Sequence, residues 1–280
     1  MTEQITEPSE KNALERLRAA KGFVFDMDGV LYRGDHQLPG VVDLINALVI
    51  RDIPYMLATN NSMATPAMYV AKLGKMGIET EPEHILTSAT ATRIYLDLHL
   101  SEEAAVFVVG MPPLRDQLFN DSKKSFADGD DNIEAVVVGL DLDFSYAKLK
   151  KANSAIRAGA SFIATNADAT LPTEEGLVPG AGSIVAAIQT ASGVKPVMIG
   201  KPEPTTLHMS AKTMGLDPTD CVMIGDRLDT DILAGARAGM LTALVLTGVS
   251  TREDIAKSDV LPDLVFSDLT ALLASFTGEE

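Results

Sequence analysis

Tryptophan is absent from the 280 residues, and aromatic side chains make up only 5% of them. Any core must therefore be built from Ala, Val, Leu, Ile and Met. A single cysteine, Cys221, excludes an intramolecular disulfide. It opens the apolar run Cys221-Val222-Met223-Ile224, a setting for a buried inert thiol rather than a catalytic one. Positive charge is scarce as well: 23 Lys and Arg face 39 Asp and Glu, for a formal net charge of −16. Such a surface repels phosphate backbones and anionic bilayers, so neither nucleic acid nor membrane is expected as a partner. The same field repels a small phosphorylated ligand. A site for one would need local positive charge, most simply a metal ion. Long hydrophobic runs are missing too. The first residues, MTEQITEPSEKNALERLRAAKG, are acidic and lack the apolar segment of a secretory signal. No stretch is long enough to cross a bilayer. The chain reads as soluble and cytoplasmic, with a loose amphipathic helix in its first twenty residues.

What is present is ample apolar material, 46% of the chain, enough for one large domain or two modest ones. Short apolar runs alternate with helical patterns almost from end to end. Strands are expected at 23–25, 54–57, 105–109, 135–138, 162–164, 197–199, 222–224, 243–246 and 264–266. Residues 41–50 (VVDLINALVI) read as a helix, and Thr65-Pro66 starts another, with the hydroxyl as cap and the proline in the first turn. This alternation points to an α/β fold, a Rossmann-like parallel sheet with helices on both faces. Ligands bind such sheets beyond the carboxyl ends of the strands.

The polar residues at those ends are unusual. The first strand runs into Asp26-Met27-Asp28-Gly29, the second into Thr59-Asn60-Asn61, the run 197–199 into Gly200-Lys201-Pro202, and 221–224 into Gly225-Asp226-Arg227-Leu228-Asp229-Thr230-Asp231. Two carboxylates as close as Asp26 and Asp28 cannot both stay ionised cheaply unless a cation sits between them or one keeps its proton. Both solutions suit phosphoryl transfer: one carboxylate attacks phosphorus, and the other, protonated, serves the leaving oxygen and then water. Asp226 would add a hard oxygen ligand for Mg²⁺. Lys201 would neutralise the transferring group, and Thr59 and Asn60 would donate to its oxygens. Each motif alone has a plainer reading, as a turn, a solvated lysine or a helix N-terminus. Their order, each directly after an apolar strand, favours the joint one.

Between Asn61 and Lys201 lie far more residues than one crossover needs, with strands and helices of their own. The organisation expected is a core of 1–87 with 196–280, interrupted by a separate α/β lobe at 88–195.

The segments FDMDGVLYRG (25–34), TNNS (59–62), PGAGS (179–183), GKP (200–202) and GDRLDTDI (225–232) together resemble the haloacid-dehalogenase superfamily, and within it the NagD-like subfamily IIA. The resemblance covers nearly all of the chain after the first twenty residues. It implies Asp26 as nucleophile and Asp28 as general acid and base. It implies Mg²⁺ held by Asp26, the main-chain carbonyl of Asp28, and Asp226, with Asp231 ordering the metal site from behind. Thr59, Asn60 and Lys201 would grip the phosphoryl group. Dehalogenase-type members lack a carboxylate at the place of Asp28, and P-type ATPases need membrane spans, so phosphate-ester hydrolysis is what the resemblance implies. The lobe at 88–195 would be a cap of the C2 type, which implies a small-molecule substrate and permits a homodimer through the cap.

In that cap, the polar loop Thr165-Asn166-Ala167-Asp168-Ala169-Thr170-Leu171-Pro172 follows a strand, and Asn166 and Asp168 are the candidates for leaving-group recognition. The plainer alternative is a capped turn. Arg227 is read as ordering nearby carboxylates. Asp128-Gly129-Asp130-Asp131 resembles a fragment of a calcium loop without its later Glu, and the four histidines show no ligand spacing. The function expected is hydrolysis of a small phosphomonoester: a sugar phosphate, glycerol phosphate, phosphoglycolate, a nucleotide or pyridoxal phosphate, with 4-nitrophenyl phosphate as generic substrate. Phosphotransfer to an acceptor alcohol and non-catalytic binding of a phosphometabolite are the competing readings.

Overall fold

The structure, a computed structural model, describes residues 7–120, 122–127, 129, 132–173 and 176–278. The acidic trio Asp128, Asp130 and Asp131 lies outside the described residues. The chain divides into two compact units. One comprises the residues up to Thr59, Pro66–Leu86, and everything from Lys201 onward; the other comprises Asn60–Thr65 and Thr87–Gly200.

The strands of the first unit begin with β1 (Gly22–Phe25), followed by the short hairpin β2 (Tyr32–Arg33) and β3 (His36–Gln37), β4 (Tyr55–Thr59) and β5 (Ile85–Thr87). The second unit carries β6 (Ala105–Val109), β7 (Ser125–Phe126), β8 (Ile133–Val138), β9 (Ser161–Ala164), β10 (Thr170–Thr173), β11 (Gly176–Pro179) and β12 (Val197–Met198). The chain then returns to the first unit with β13 (Cys221–Gly225), β14 (Leu241–Val245) and β15 (Leu264–Phe266).

A six-stranded sheet of order β15-β14-β13-β1-β4-β5 forms the first unit. β1 pairs in parallel with β13 on one side and β4 on the other, and β13–β14–β15 continue in parallel. β1, β4, β13 and β14 are buried along their whole length, which explains why they read as unbroken apolar runs rather than alternating ones. Val41–Ile50 is helical as its pattern predicts, with Val41, Leu44, Ile45 and Leu48 buried. Strand order reverses at β1: the chain moves to β4 and β5 on one side, and returns on the other to β13. Such a reversal leaves a crevice at the carboxyl ends of the two strands that flank it.

The second unit is built on a parallel sheet of order β12-β9-β8-β6-β7, with an antiparallel hairpin of β10 and β11 beside it. Phe107, Val136, Val138, Ile156, Phe162 and Ile188 belong to its core. Two expectations need correcting. Val197–Met198 pairs with Ile163–Ala164 of β9, so the strand before Lys201 belongs to the second sheet, and the division falls between Gly200 and Lys201 rather than at 195/196. Thr170–Pro172 opens β10 instead of closing a loop. At 197–198 local apolarity shows a strand but not which sheet it joins; at 170–172 the polar, proline-containing pattern hides a strand that its antiparallel pairing with Gly176–Pro179 creates.

The N-terminal helix Glu7–Arg18 is anchored, not loose. Leu17 is fully buried and Ala13 nearly so, against the helix Leu269–Thr277 and strands β14 and β15, and the Arg18 guanidinium donates to Ser275 O at 2.9 Å. Leu17→Ala should therefore destabilise the protein by about 2–5 kcal/mol, the range for truncating a buried leucine. Urea denaturation checks this; an unchanged midpoint would mean the helix is detached in solution.

Candidate active site

β1 delivers Asp26 to the crevice. The Asp26 N–H donates to Ile224 O at 2.8 Å, extending the β1–β13 ladder by one bond past the strand. The chain then turns. The N–H of Leu31 donates to Met27 O at 2.8 Å, the N–H of Gly29 to Tyr32 O at 2.8 Å, and Gly29 takes a φ of 84° that side chains disfavour. Met27, Val30 and Leu31 are buried beneath this turn. Their burial fixes its orientation and leaves Asp28 exposed beside Asp26.

Lys201, only 2% exposed, is the centre of the site. Its ammonium donates to Asp26 Oδ1 at 2.5 Å and to Ala58 O at 3.1 Å, and ion-pairs with Asp231 Oδ1 at 2.7 Å. Burial by itself lowers an ammonium pKa; Asp231 and Asp26 outweigh it, so the net shift is upward and the charge is locked on. Thr59, buried at the end of β4, directly follows the Ala58 carbonyl that Lys201 holds.

Carboxylate oxygens of Asp26, Asp226 and Asp231 lie within 4.8 Å of one another. Burial is the first cause that pushes Asp26 up to about 8; Lys201 opposes it, while Asp231 and Asp226 reinforce it. Burial likewise pushes Asp226 up to about 7, with Asp231 reinforcing it. Asp28 is raised by the surrounding protein, against the pull of Lys72 and Arg33. A raised carboxyl that is still open to solvent is suited to carry a proton to a reacting oxygen.

One ammonium against three close carboxylates leaves negative charge that only protons or a cation can neutralise. Hard oxygen donors in this number suit a divalent cation. The residues present therefore fit a divalent metal. Asp231, expected to stand behind the metal site, is a member of the close trio and ion-pairs Lys201 as well. It sits in a π-type turn, Leu228–Ile232, and its Oδ2 accepts the Arg227 N–H at 3.1 Å. The Arg227 guanidinium pairs with Asp229 at 3.0 Å.

Sequence reasoning missed the loop after β14. The Val249 N–H donates to Asp226 Oδ2 at 2.7 Å, and the Ser250 N–H to Asp226 O at 3.0 Å. Arg33 clamps this loop through Thr247 O at 2.5 Å and Gly248 O at 3.2 Å, while the Thr247 hydroxyl donates to Gly29 O at 2.6 Å. A signal was available: Thr247-Gly248-Val249-Ser250 follows an apolar strand as the other site segments do. Cys221 is buried, its thiol pushed up to about 11 mainly by burial, which fits an inert thiol.

Asn60, Asn166 and Asp168 come together within the second unit. The Asn60 side-chain amide donates to Asp168 Oδ2 at 3.4 Å, and the Asn166 amide donates to Asn60 O at 2.8 Å. Among the described residues no helix is long and apolar enough to cross a membrane.

Residues 23–121 match the family model of haloacid dehalogenase-like hydrolases, and residues 198–272 match a second, HAD-hydrolase-like model. The chain belongs to the haloacid dehalogenase-like hydrolases, in the NagD-like subfamily IIA. It is 38% identical over 258 residues to an acid sugar phosphatase of Staphylococcus aureus, covering 92% of this chain and 98% of the relative. A 4-nitrophenylphosphatase of Thermotoga maritima superposes with a TM-score of 0.86 at 34% identity, covering 93% of this chain and 99% of that one. NagD of E. coli K-12 gives 0.81 at 31%, covering 90% and 97%. With the family goes the activity class: the chain is a phosphatase.

A methyl group at Gly248 would come within 1.9 Å of Asp226 Oδ2. Gly248→Ala should displace that carboxylate and weaken activation by a divalent cation roughly 10–100-fold, as disturbed supports of metal ligands do. Titrating activity with metal checks it; an unchanged half-activating concentration would mean that Asp226 does not hold the cation.

Proposed function

We propose that the chain is a magnesium-dependent phosphatase of small-molecule phosphomonoesters, working through an aspartyl phosphate on Asp26. The observation that carries this reading is the Asp26 carboxylate held on the buried Lys201 ammonium, with Asp226 and Asp231 close by and Asp28 two residues on. A carboxylate so held is oriented for attack, and its neighbours provide the hard donor set Mg²⁺ prefers.

In the first half-reaction an Asp26 oxygen forms a bond to phosphorus as the bond to the ester oxygen breaks. Asp28 gives its proton to the departing oxygen. In the second, Asp28 takes a proton from water, the water oxygen bonds to phosphorus, and the aspartyl–phosphorus bond breaks to release orthophosphate. Asp26 is then a free carboxylate and Asp28 carries its proton again. Thr59 and Asn60 donate to the phosphoryl oxygens, and Lys201 steadies Asp26 and offsets charge on the transferring group. When bound by Asp26, Asp226 and the Asp28 carbonyl, Mg²⁺ supplies the positive charge that a chain of net charge −16 otherwise denies an anionic substrate.

Leaving-group selection is assigned to the second unit, through the segment 165–172, where Ala167, Ala169, Thr170 and Leu171 are exposed and Asp168 is half-buried. The name of the Staphylococcus aureus relative favours sugar phosphates, and that of the Thermotoga maritima one supports 4-nitrophenyl phosphate as a generic substrate.

Phosphate release from a panel of phosphomonoesters, with Mg²⁺ or a chelator, tests the proposal. Wild type should turn over only with metal, and Asp26→Asn should lose roughly 10³-fold or more in kcat, as loss of a nucleophile does elsewhere. Wild-type rates in Asp26→Asn, or binding of esters without release of phosphate, would count against it.

A further inference from the structure

Asn60 makes three side-chain hydrogen bonds within the second unit. Its main-chain carbonyl accepts two side-chain hydrogen bonds, from Ser88 Oγ at 2.6 Å and from Asn166 Nδ2 at 2.8 Å. Its own amide donates to Asp168 at 3.4 Å. A methyl group at Gly200 would stand 2.6 Å from Asn60 Oδ1 and 3.2 Å from the Asn166 side chain, so the missing side chain at 200 makes room for both. Two residues on, Ser62 O accepts from the buried Gln117 amide at 3.4 Å. Both donors to the Asn60 carbonyl are buried: Ser88 is fully enclosed and Asn166 is 6% exposed. The other end of the Asn166 amide is engaged too, since its Oδ1 accepts the Asp168 N–H at 3.2 Å. One donor and one acceptor position of this buried amide are thus engaged by the protein.

We infer that Asn166 is a positioning residue for the phosphoryl-binding segment Thr59–Asn60, acting together with Ser88 through the Asn60 carbonyl. This deepens the proposed phosphatase reading and rests on its placement of Thr59 and Asn60 at the phosphoryl group. Asn166 ties the segment 165–172 to the residue that directly follows Thr59. Its loss loosens the grip on phosphate for every ester alike and leaves the order of preference among esters unchanged. Leaving-group recognition then falls to the exposed part of the loop, Ala167 to Leu171.

The test uses the full chain with its metal, as wild type, Asn166→Ala, Ser88→Ala and Ser88→Thr. Two quantities are read: the inhibition constant of orthophosphate, which has no leaving group, and kcat/KM for 4-nitrophenyl phosphate, a hexose phosphate and glycerol phosphate. Asn166→Ala and Ser88→Ala should each raise the orthophosphate constant about 5- to 10-fold, the scale of one lost hydrogen bond at a buried acceptor. They should lower kcat/KM for all three esters by one common factor. Ser88→Thr, which keeps the hydroxyl donor, should stay near wild type. An unchanged orthophosphate constant with a reordered ester ranking would overturn the inference and make Asn166 a leaving-group contact. Equal constants in both alanine variants and wild type would overturn it as well. If Asn166→Ala does not fold, the Ser88 pair decides alone. Failure of the phosphatase reading shows separately, as wild type releasing no phosphate from any ester, and direct calorimetric binding of orthophosphate then compares the same variants.

Discussion

The site depends on one buried ammonium. Lys201 joins the end of β1, through Asp26, to the turn after β13, through Asp231, and to the end of β4, through Ala58 O. Removing it would leave three close carboxylates without a cation in a place where burial already resists their charge. Even with it in place the charges do not balance; burial first, and the neighbouring carboxylates after it, raise Asp26 and Asp226. A bound divalent cation would remove the imbalance. The charge distribution of the cluster thus suits a divalent cation, in keeping with the chain's family.

Topology explains why these groups meet. Asp26 and Asp226 lie far apart in sequence, but β1 and β13 are parallel neighbours in register, Phe25 opposite Ile224, so the residues that follow each strand emerge side by side. The apolar strands are buried throughout and hold that register firmly, since a slip would carry Asp26 into the sheet. Asp26 and Asp226 thus directly follow strands that are buried along their whole length. The loop after β14, clamped by Arg33, then orients Asp226 with main-chain N–H groups.

Much of this was legible in the sequence because the site residues directly follow apolar runs, and a run followed by carboxylates is visible without a structure. The helix at 41–50 and the strands at 105–109 and 264–266 have the bounds their patterns predict. What was not legible depends on partners distant in the chain. Val197–Met198 looks like any core strand, and only its pairing with β9 assigns it to the second sheet. The position of Thr247-Gly248-Val249 after an apolar strand was visible, but their bonds to Gly29, Arg33 and Asp226, each between a side chain and a main-chain group distant in the chain, were not. Asn166 lies in a polar loop after a strand, and the bond its amide donates to Asn60 O, 106 positions earlier, has no local signature.

The central claim is that Asp26 becomes covalently phosphorylated, and rapid acid quench with mass spectrometry addresses it most directly. Protein mixed with Mg²⁺ and excess 4-nitrophenyl phosphate, then quenched during turnover, should carry one phosphoryl group on the peptide containing Asp26, removable by hydroxylamine. Orthophosphate accumulating at the full rate with no phosphorylated peptide at any quench time would contradict the account, and would point to direct attack of water on the ester.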